Sequence, residues 1–245
     1  MGIIDKIKTA THPFTSVMIL AAGAGQRFSS VAGQKQNIEL CGIPVIVRTI
    51  TAFEECPLVD EIVIVCREED VHVYEGFSDK YGFSKITKVV AGGKERIDSA
   101  MAGVDCISDK SKFVAVHDGA RCLITPENIE KTLSAAYKDG AAAAGHPSID
   151  TVKYSEDGQS ITNTVDRSKV WLIGTPQVFM ANMYRAAIYM AKKDGTMVTD
   201  DCMMAERLGF KVSLVDIGCE NIKITNPEDI YIAEGILKKR EDMGK

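Results

Sequence analysis

The chain has 245 residues, 45% of them hydrophobic and 26% charged, with 34 acidic side chains against 29 basic ones and a net charge of −5. That composition is globular and excludes a disordered chain, and the acidic balance excludes a general nucleic-acid binder, which needs a basic surplus. Net charge leaves local fields open, so a nucleotide could still be held in one cationic cleft. Seven cysteines with no CxxC spacing suggest neither a zinc ribbon nor a dithiol redox site. They read as buried thiols of a reducing compartment, so a cytoplasmic protein is expected. No apolar run nears the roughly 20 residues of a membrane span, and the first residues lack the apolar centre of a secretory signal.

In chain order, the apolar run Val17–Leu20 predicts a buried strand that runs into the glycine-rich turn 21–25. The runs 62–65, 86–90, 113–116 and 141–144 have the same character. Between them, Ile97, Met101, Val104 and Ile107 recur at helical spacing, as do Ile129, Leu133 and Ala136 after a Thr125-Pro126 start. Continuous apolar strands alternating with amphipathic helices predict an α/β fold, a Rossmann-like mostly parallel sheet with helices on both faces. Ligands of such sheets bind at the carboxyl ends of the strands. The segment 148–167 breaks the alternation: it is polar, with Asp157-Gly158 at its centre. This predicts a protruding β-hairpin arm with Thr151 opposite Thr164 and Lys153 opposite Thr162. The arm has too little apolar content to bury itself.

The chemistry-bearing residues follow the strands. Ala21-Ala22-Gly23-Ala24-Gly25 lets backbone N–H groups approach phosphate oxygens, and Arg27 and Lys35 add two cations nearby. Phe28 stands where a dinucleotide fingerprint wants a third glycine, which disfavours an oxidoreductase. Gly92-Gly93 precedes a helix on which Ser99 shares a face with Arg96. At the end of another strand, Asp118 is placed to hold a divalent metal that bridges phosphates, and Arg121 to neutralise a phosphate. His117 reads as a structural histidine. Downstream, Gly174 to Gln177 ends an apolar run. Thr199 reads as a helix N-cap, with Asp200 and Asp201 complementing the dipole. Residues 221–225 read as a strand end, with Lys223 projecting opposite Ile222 and Ile224, before a helix capped by Asn226 with Pro227 at its first position.

Taken in order, the motifs form one pattern. They are Ala-Ala-Gly-x-Gly-x-Arg at 21–27, Lys35-Gln36, Gly-Gly-x-x-Arg-x-x-Ser at 92–99, His117-Asp118-x-Ala120-Arg121 and Asp150-Thr151-x-Lys153. Val165-Asp166-Arg167, Thr175-Pro176-Gln177, Thr199-Asp200 and Asn221-Ile222-Lys223-x-Thr225 complete it. The chain resembles the 2-C-methyl-D-erythritol 4-phosphate cytidylyltransferases of the non-mevalonate isoprenoid pathway from about Val17 to Leu237. It departs from their pattern at Gln34, Asn37, Lys94 and Cys122.

The resemblance implies a sheet of the nucleotide-diphospho-sugar transferase type in one domain over 17–240, after an extension, 1–16, to which no role attaches. It implies that the methylerythritol 4-phosphate attacks the α-phosphorus of CTP and releases pyrophosphate, with Mg2+ assisting. Arg27, Lys35 and Lys223 would then be catalytic. Ala21, Ala22, Gly23, Ala24, Gly25, Gly92, Gly93 and Ser99 would bind the nucleotide. Asp118, Arg121, Thr151, Arg167, Thr175, Thr199 and Lys223 would bind the acceptor, and Asp118 would also hold the metal. The arm would cross to a partner subunit of a homodimer, so that Thr151 and Arg167 complete the neighbour's site; neither a nucleic acid nor a membrane is expected as a partner. Two rival readings are a cytidylyltransferase for a pentitol phosphate such as ribitol 5-phosphate, and a nucleotide-binding module without activity.

Overall fold

The structure is a computed structural model that describes residues 12–23, 38–195 and 197–244. The expectations for Ala24, Gly25, Arg27 and Lys35 lie outside the described residues, as does segment 1–11. In chain order the elements begin with strand β1 (Thr15–Leu20), the short strands β2 (Glu39–Leu40) and β3 (Ile43–Pro44), and helix α1 (Val45–Glu55). Strand β4 (Glu61–Cys66), the short helices α2 (Val71–Glu75) and α3 (Phe77–Tyr81), β5 (Ile86–Ala91) and α4 (Arg96–Val104) follow. Next come β6 (Phe113–Asp118), α5 (Pro126–Asp139), β7 (Ala141–Pro147) and the arm strands β8 (Lys153–Tyr154) and β9 (Asn163–Thr164). The chain closes with β10 (Trp171–Met180), α6 (Ala181–Lys193), α7 (Asp201–Arg207), β11 (Ser213–Asp216) and α8 (Glu228–Asp242).

Seven strands make one sheet in the order β11-β7-β10-β6-β1-β4-β5. All neighbours pair in parallel except β10, which runs antiparallel to both β6 and β7. The side-chain period of two sends alternate residues of each strand to opposite faces. Val17, Ile19, Ile62, Ile64 and Ala115 pack with α1 and α5 on one face. Met18, Val63, Val65, Val114 and Val116 pack with α4, α6 and α7 on the other. Strand β4 is buried along its whole length, which is why it reads as an unbroken apolar run rather than an alternation. A smaller cluster of Leu40, Val45, Leu123, Ile224 and Ala233 seats α8 beside the strand ends.

The expected strands and helices are present, with four corrections. Helix α5 starts as predicted, with Thr125 accepting from the Asn128 N–H and Pro126 in its first turn. Helix α7, however, is capped by Asp200, whose side chain accepts from the Met203 N–H, and not by Thr199. Helix α8 has no side-chain cap from Asn226; instead Asp229 reaches back to the N–H groups of Thr225 and Asn226. Residues 221–225 are extended chain outside the sheet, tied by the Ile224 N–H to Ala120 O (2.9 Å). Strand β10 continues through 174–177, which closes an apolar run, with a bulge: Ile173 faces Gly145 while Gln177 faces Ala143. The bulge sets Thr175 and Gly174 apart from regular pairing, next to the end of β6.

The arm is a separate two-stranded ribbon in which Lys153 pairs with Thr164 and Tyr154 with Asn163, two residues from the predicted register. The cause is Asp157. Its carboxylate accepts from the N–H groups of Gln159 and Ser160 and from both the Ser155 and Ser160 hydroxyls. Those bonds widen the connection beyond a two-residue turn.

Candidate active site

The sheet delivers its functional groups at the carboxyl ends of the parallel strands β1, β5 and β6 and, beside them, at the bulge within the antiparallel β10. Asp118 is the last residue of β6, and Lys223 Nζ lies 2.9 Å from its Oδ2. Arg121 Nε lies 3.5 Å from the same oxygen, while its Nη1 donates to the Asn221 carbonyl at 2.8 Å. The Asp118 N–H donates to the Thr175 hydroxyl at 3.0 Å. Burial alone would raise the Asp118 carboxyl; Lys223, then Arg96 and Arg121, outweigh it and hold the group below the ordinary carboxylate range. The Asp118 carboxylate is therefore ionised at neutral pH, with three cations around it, of which Arg96 is shared with the Asp201 carboxylate.

His117 braces this arrangement from within. It is fully buried and meets Phe53 edge-on. Its Nε2 faces the Arg121 carbonyl (3.2 Å) and so carries the proton, which leaves Nδ1 to accept from Thr175 Oγ1 (3.1 Å). Burial pushes its pKa down to about 4, so the ring is neutral. The structural reading of His117 agrees with this geometry.

On the other side, Gly92 follows β5, and its N–H donates to Cys66 O at 2.7 Å. A Cβ there would stand 2.6 Å from Ser99 Oγ and 2.8 Å from Ala22 Cβ, so glycine lets the segments after β1 and β5 close onto helix α4. Ser99 is buried and accepts from the Gly93 N–H. Arg67 donates to Gly23 O at 3.2 Å and anchors the chain just after β1. Ala22, Gly92, Gly93 and Ser99 thus pack closely beside the end of β1.

A network that the sequence did not reveal links this packed region to α7. Arg96, at the start of α4, pairs with the fully buried Asp201 at 2.5 Å. Asp201 also accepts from Tyr184 OH (2.7 Å), and the Asp201 and Cys202 N–H groups both donate to Gln177 Oε1. Gln177 Nε2 donates to Asp200 and to the Gly174 carbonyl. Burial disfavours the Arg96 cation, but Asp201 and Asp118 outweigh it and raise its pKa. Asp201 is therefore an ion-pair partner rather than a solvated dipole complement. A pattern of types cannot show this, because the two partners are 105 residues apart.

A profile of the family 2-C-methyl-D-erythritol 4-phosphate cytidylyltransferase matches residues 15–239. A protein of that name from Syntrophus aciditrophicus is 39% identical over 230 residues, covering 94% of this chain and 98% of its own. Its counterpart from Clostridium acetobutylicum is 42% identical over 224 residues, covering 91% and 96%. Among solved structures, the 4-diphosphocytidyl-2C-methyl-D-erythritol synthase of Anaerococcus prevotii superposes with a TM-score of 0.83 at 31% identity, covering 94% of this chain and 99% of that one.

The chain belongs to the 2-C-methyl-D-erythritol 4-phosphate cytidylyltransferase family.

As a cytidylyltransferase it has its acceptor-side candidates in three places. Asp118, Arg121, Thr175 and Lys223 form one cluster, and Thr199 lies two residues before Asp201, exposed, with its hydroxyl 3.9 Å from Met203 Sδ. Thr151 and Arg167 stand apart on the arm. The Arg167 guanidinium donates to Ile149 O (3.0 Å), and no hydrogen bond or ion pair among the described residues joins either residue to the Asp118 cluster. No group of three or more His, Cys, Asp or Glu side chains gathers into a metal cage among the described residues. No helix of the cytidylyltransferase among those residues is long and apolar enough to cross a membrane.

Proposed function

We propose that the enzyme transfers the cytidylyl group of CTP to 2-C-methyl-D-erythritol 4-phosphate. A phosphate oxygen of the acceptor bonds to the α-phosphorus, the bond to the β-phosphate breaks, and pyrophosphate leaves. The observation that carries this reading is the convergence of a close-packed glycine wall with the Lys223–Asp118–Arg121 cluster at one end of the sheet. Ala21 to Gly25, Gly92, Gly93 and Ser99 hold the nucleotide, whose flat base and phosphates need close backbone approach. Arg121, Lys223, Thr175 and Thr199 hold the acceptor, with Thr151 and Arg167 of a partner subunit. Arg27 and Lys35 neutralise charge that grows on the α-phosphate, and catalysis rests on positioning and electrostatics rather than a covalent intermediate.

Mg2+ fits this site through Asp118. The ion binds through one or two carboxylates plus substrate phosphates, and Asp118 is an ionised carboxylate whose two ion pairs both fall on Oδ2. Asp118 would hold the ion, which would supply positive charge against the phosphates; Asp118 itself sets Lys223 and Arg121 in position.

The arm supports a homodimer. Ile149, Tyr154 and Ile161 are 71%, 55% and 66% exposed, and Leu172 beside it is 52% exposed, an apolar surface that water alone does not favour. The thiols support a cytoplasmic setting: every described cysteine is free, and burial pushes those of Cys56 and Cys122 up to about 11, although Cys41 and Cys219 are exposed rather than buried as expected.

The experiment is CTP-dependent release of pyrophosphate on addition of the methylerythritol phosphate, run beside Lys35→Ala. That variant is expected to bind CTP normally in calorimetry while kcat falls about 10²–10³-fold, the loss typical of one preorganised donor. Near-wild-type turnover in Lys35→Ala would contradict the role.

A further inference from the structure

Asn221 is only 8% exposed and stands two residues before Lys223. Its Nδ2 donates to the Thr175 carbonyl, and its own main-chain carbonyl accepts from Arg121 Nη1, both at 2.8 Å. The Thr175 hydroxyl in turn receives the Asp118 N–H, and Asp118 pairs with Lys223. The bonds therefore close a ring from Asn221 through Thr175 and Asp118 to Lys223, with Arg121 held by the same residue. Losing the Asn221 side chain would leave the Arg121 partner, a backbone carbonyl, in place but would free the segment that carries it.

Two atoms in this ring are buried without a hydrogen-bond partner among the described residues, Asn221 Oδ1 and Arg121 Nε. Both residues line a cavity of about 120 Å3, together with Gly174, Ile173, Ile222 and Cys219. An unmet acceptor, beside a donor whose one contact is the 3.5 Å ion pair to Asp118, calls for a group that both donates and accepts. Water is that group, and the space exceeds the ~30 Å3 share of a single molecule several-fold.

We infer that Asn221 is a positioning residue for the acceptor phosphate: it sets the Arg121 guanidinium and the Lys223 ammonium around Asp118, and water in the adjoining cavity completes its side chain. This rests on the reading of Arg121 and Lys223 as acceptor ligands.

The test compares Asn221→Val with Asn221→Thr, which differ little in shape but only one of which keeps a hydroxyl to donate to Thr175 O or to bond water. In Asn221→Val the KM for 2-C-methyl-D-erythritol 4-phosphate is expected to rise about tenfold, with the KM for CTP within about twofold of wild type; Asn221→Thr recovers most of the loss. Combining either variant with Arg121→Gln is expected to raise the acceptor KM by less than the product of the single effects, since both act through one group. Should Asn221→Val fail to fold, Asn221→Thr and its combination with Arg121→Gln carry the same comparison. An unchanged acceptor KM in Asn221→Val, a parallel rise of both KM values, equal behaviour of the two variants, or additive effects with Arg121→Gln would each overturn the proposal. A normal acceptor KM in Arg121→Gln alone would instead remove the reading beneath it, and this proposal with it.

Discussion

His117 shows how a fully buried residue can brace the site. Its two ring nitrogens join the Arg121 carbonyl to the Thr175 hydroxyl, the same hydroxyl that receives the Asp118 N–H. Because its pKa falls from 6.5 to about 4 on folding, the unfolded chain binds more protons between those values, and stability rises with pH across that window. The contribution is complete above pH 6.5 and disappears as the pH falls toward 4, by up to ~3 kcal/mol. Urea unfolding at pH 7.5, 6, 5 and 4.5 is expected to show this slope, and His117→Gln to flatten it. An equal slope in both proteins would contradict the assignment. Asp118, Arg121 and Thr175 were each legible as polar residues just after apolar runs, where ligands of such sheets bind, whereas Lys223 was read as part of a strand end that is extended chain outside the sheet. Their pairing was not, nor was the Arg96–Asp201 contact, because both depend on which strand ends lie side by side.

At the scale of elements, the parallel strands and covering helices followed from continuous apolar runs and 3.6-residue spacing. What escaped were places where one side chain overrules a pattern. Asp157 draws the arm's turn wider than Asp-Gly predicts, and Asp200 takes the cap expected of Thr199. The bulge in β10 hides inside a run that looks like a strand end, since a local insertion leaves the apolar sequence intact. The arm's role is open to direct trial. If Arg167 completes the neighbour's site, a mixture of Arg167→Ala and Lys223→Ala, each inactive alone, should regain up to about a quarter of wild-type turnover, because one site of each mixed dimer is intact. No gain on mixing, with mixed dimers demonstrated by mass, would place Arg167 in its own chain's site.

For the whole molecule, a charge of −5 coexists with a cationic site because the sheet gathers particular side chains. Lys223, Arg121 and Arg96 come together around one carboxylate, while other acids spend their charge locally: Asp157 on turn hydroxyls and amides, Glu220 on Lys239 and Arg240, Asp98 on Lys192. Such a site suits a nucleotide and a sugar phosphate, not a nucleic-acid polymer. The most direct measurement is pyrophosphate release from CTP with 2-C-methyl-D-erythritol 4-phosphate and, in parallel, ribitol 5-phosphate as acceptor. The account predicts turnover with the methylerythritol phosphate and a kcat/KM at least about a hundredfold lower with ribitol 5-phosphate, the discrimination of two or three lost polar contacts. Preference for ribitol 5-phosphate, or release with neither acceptor, would contradict it.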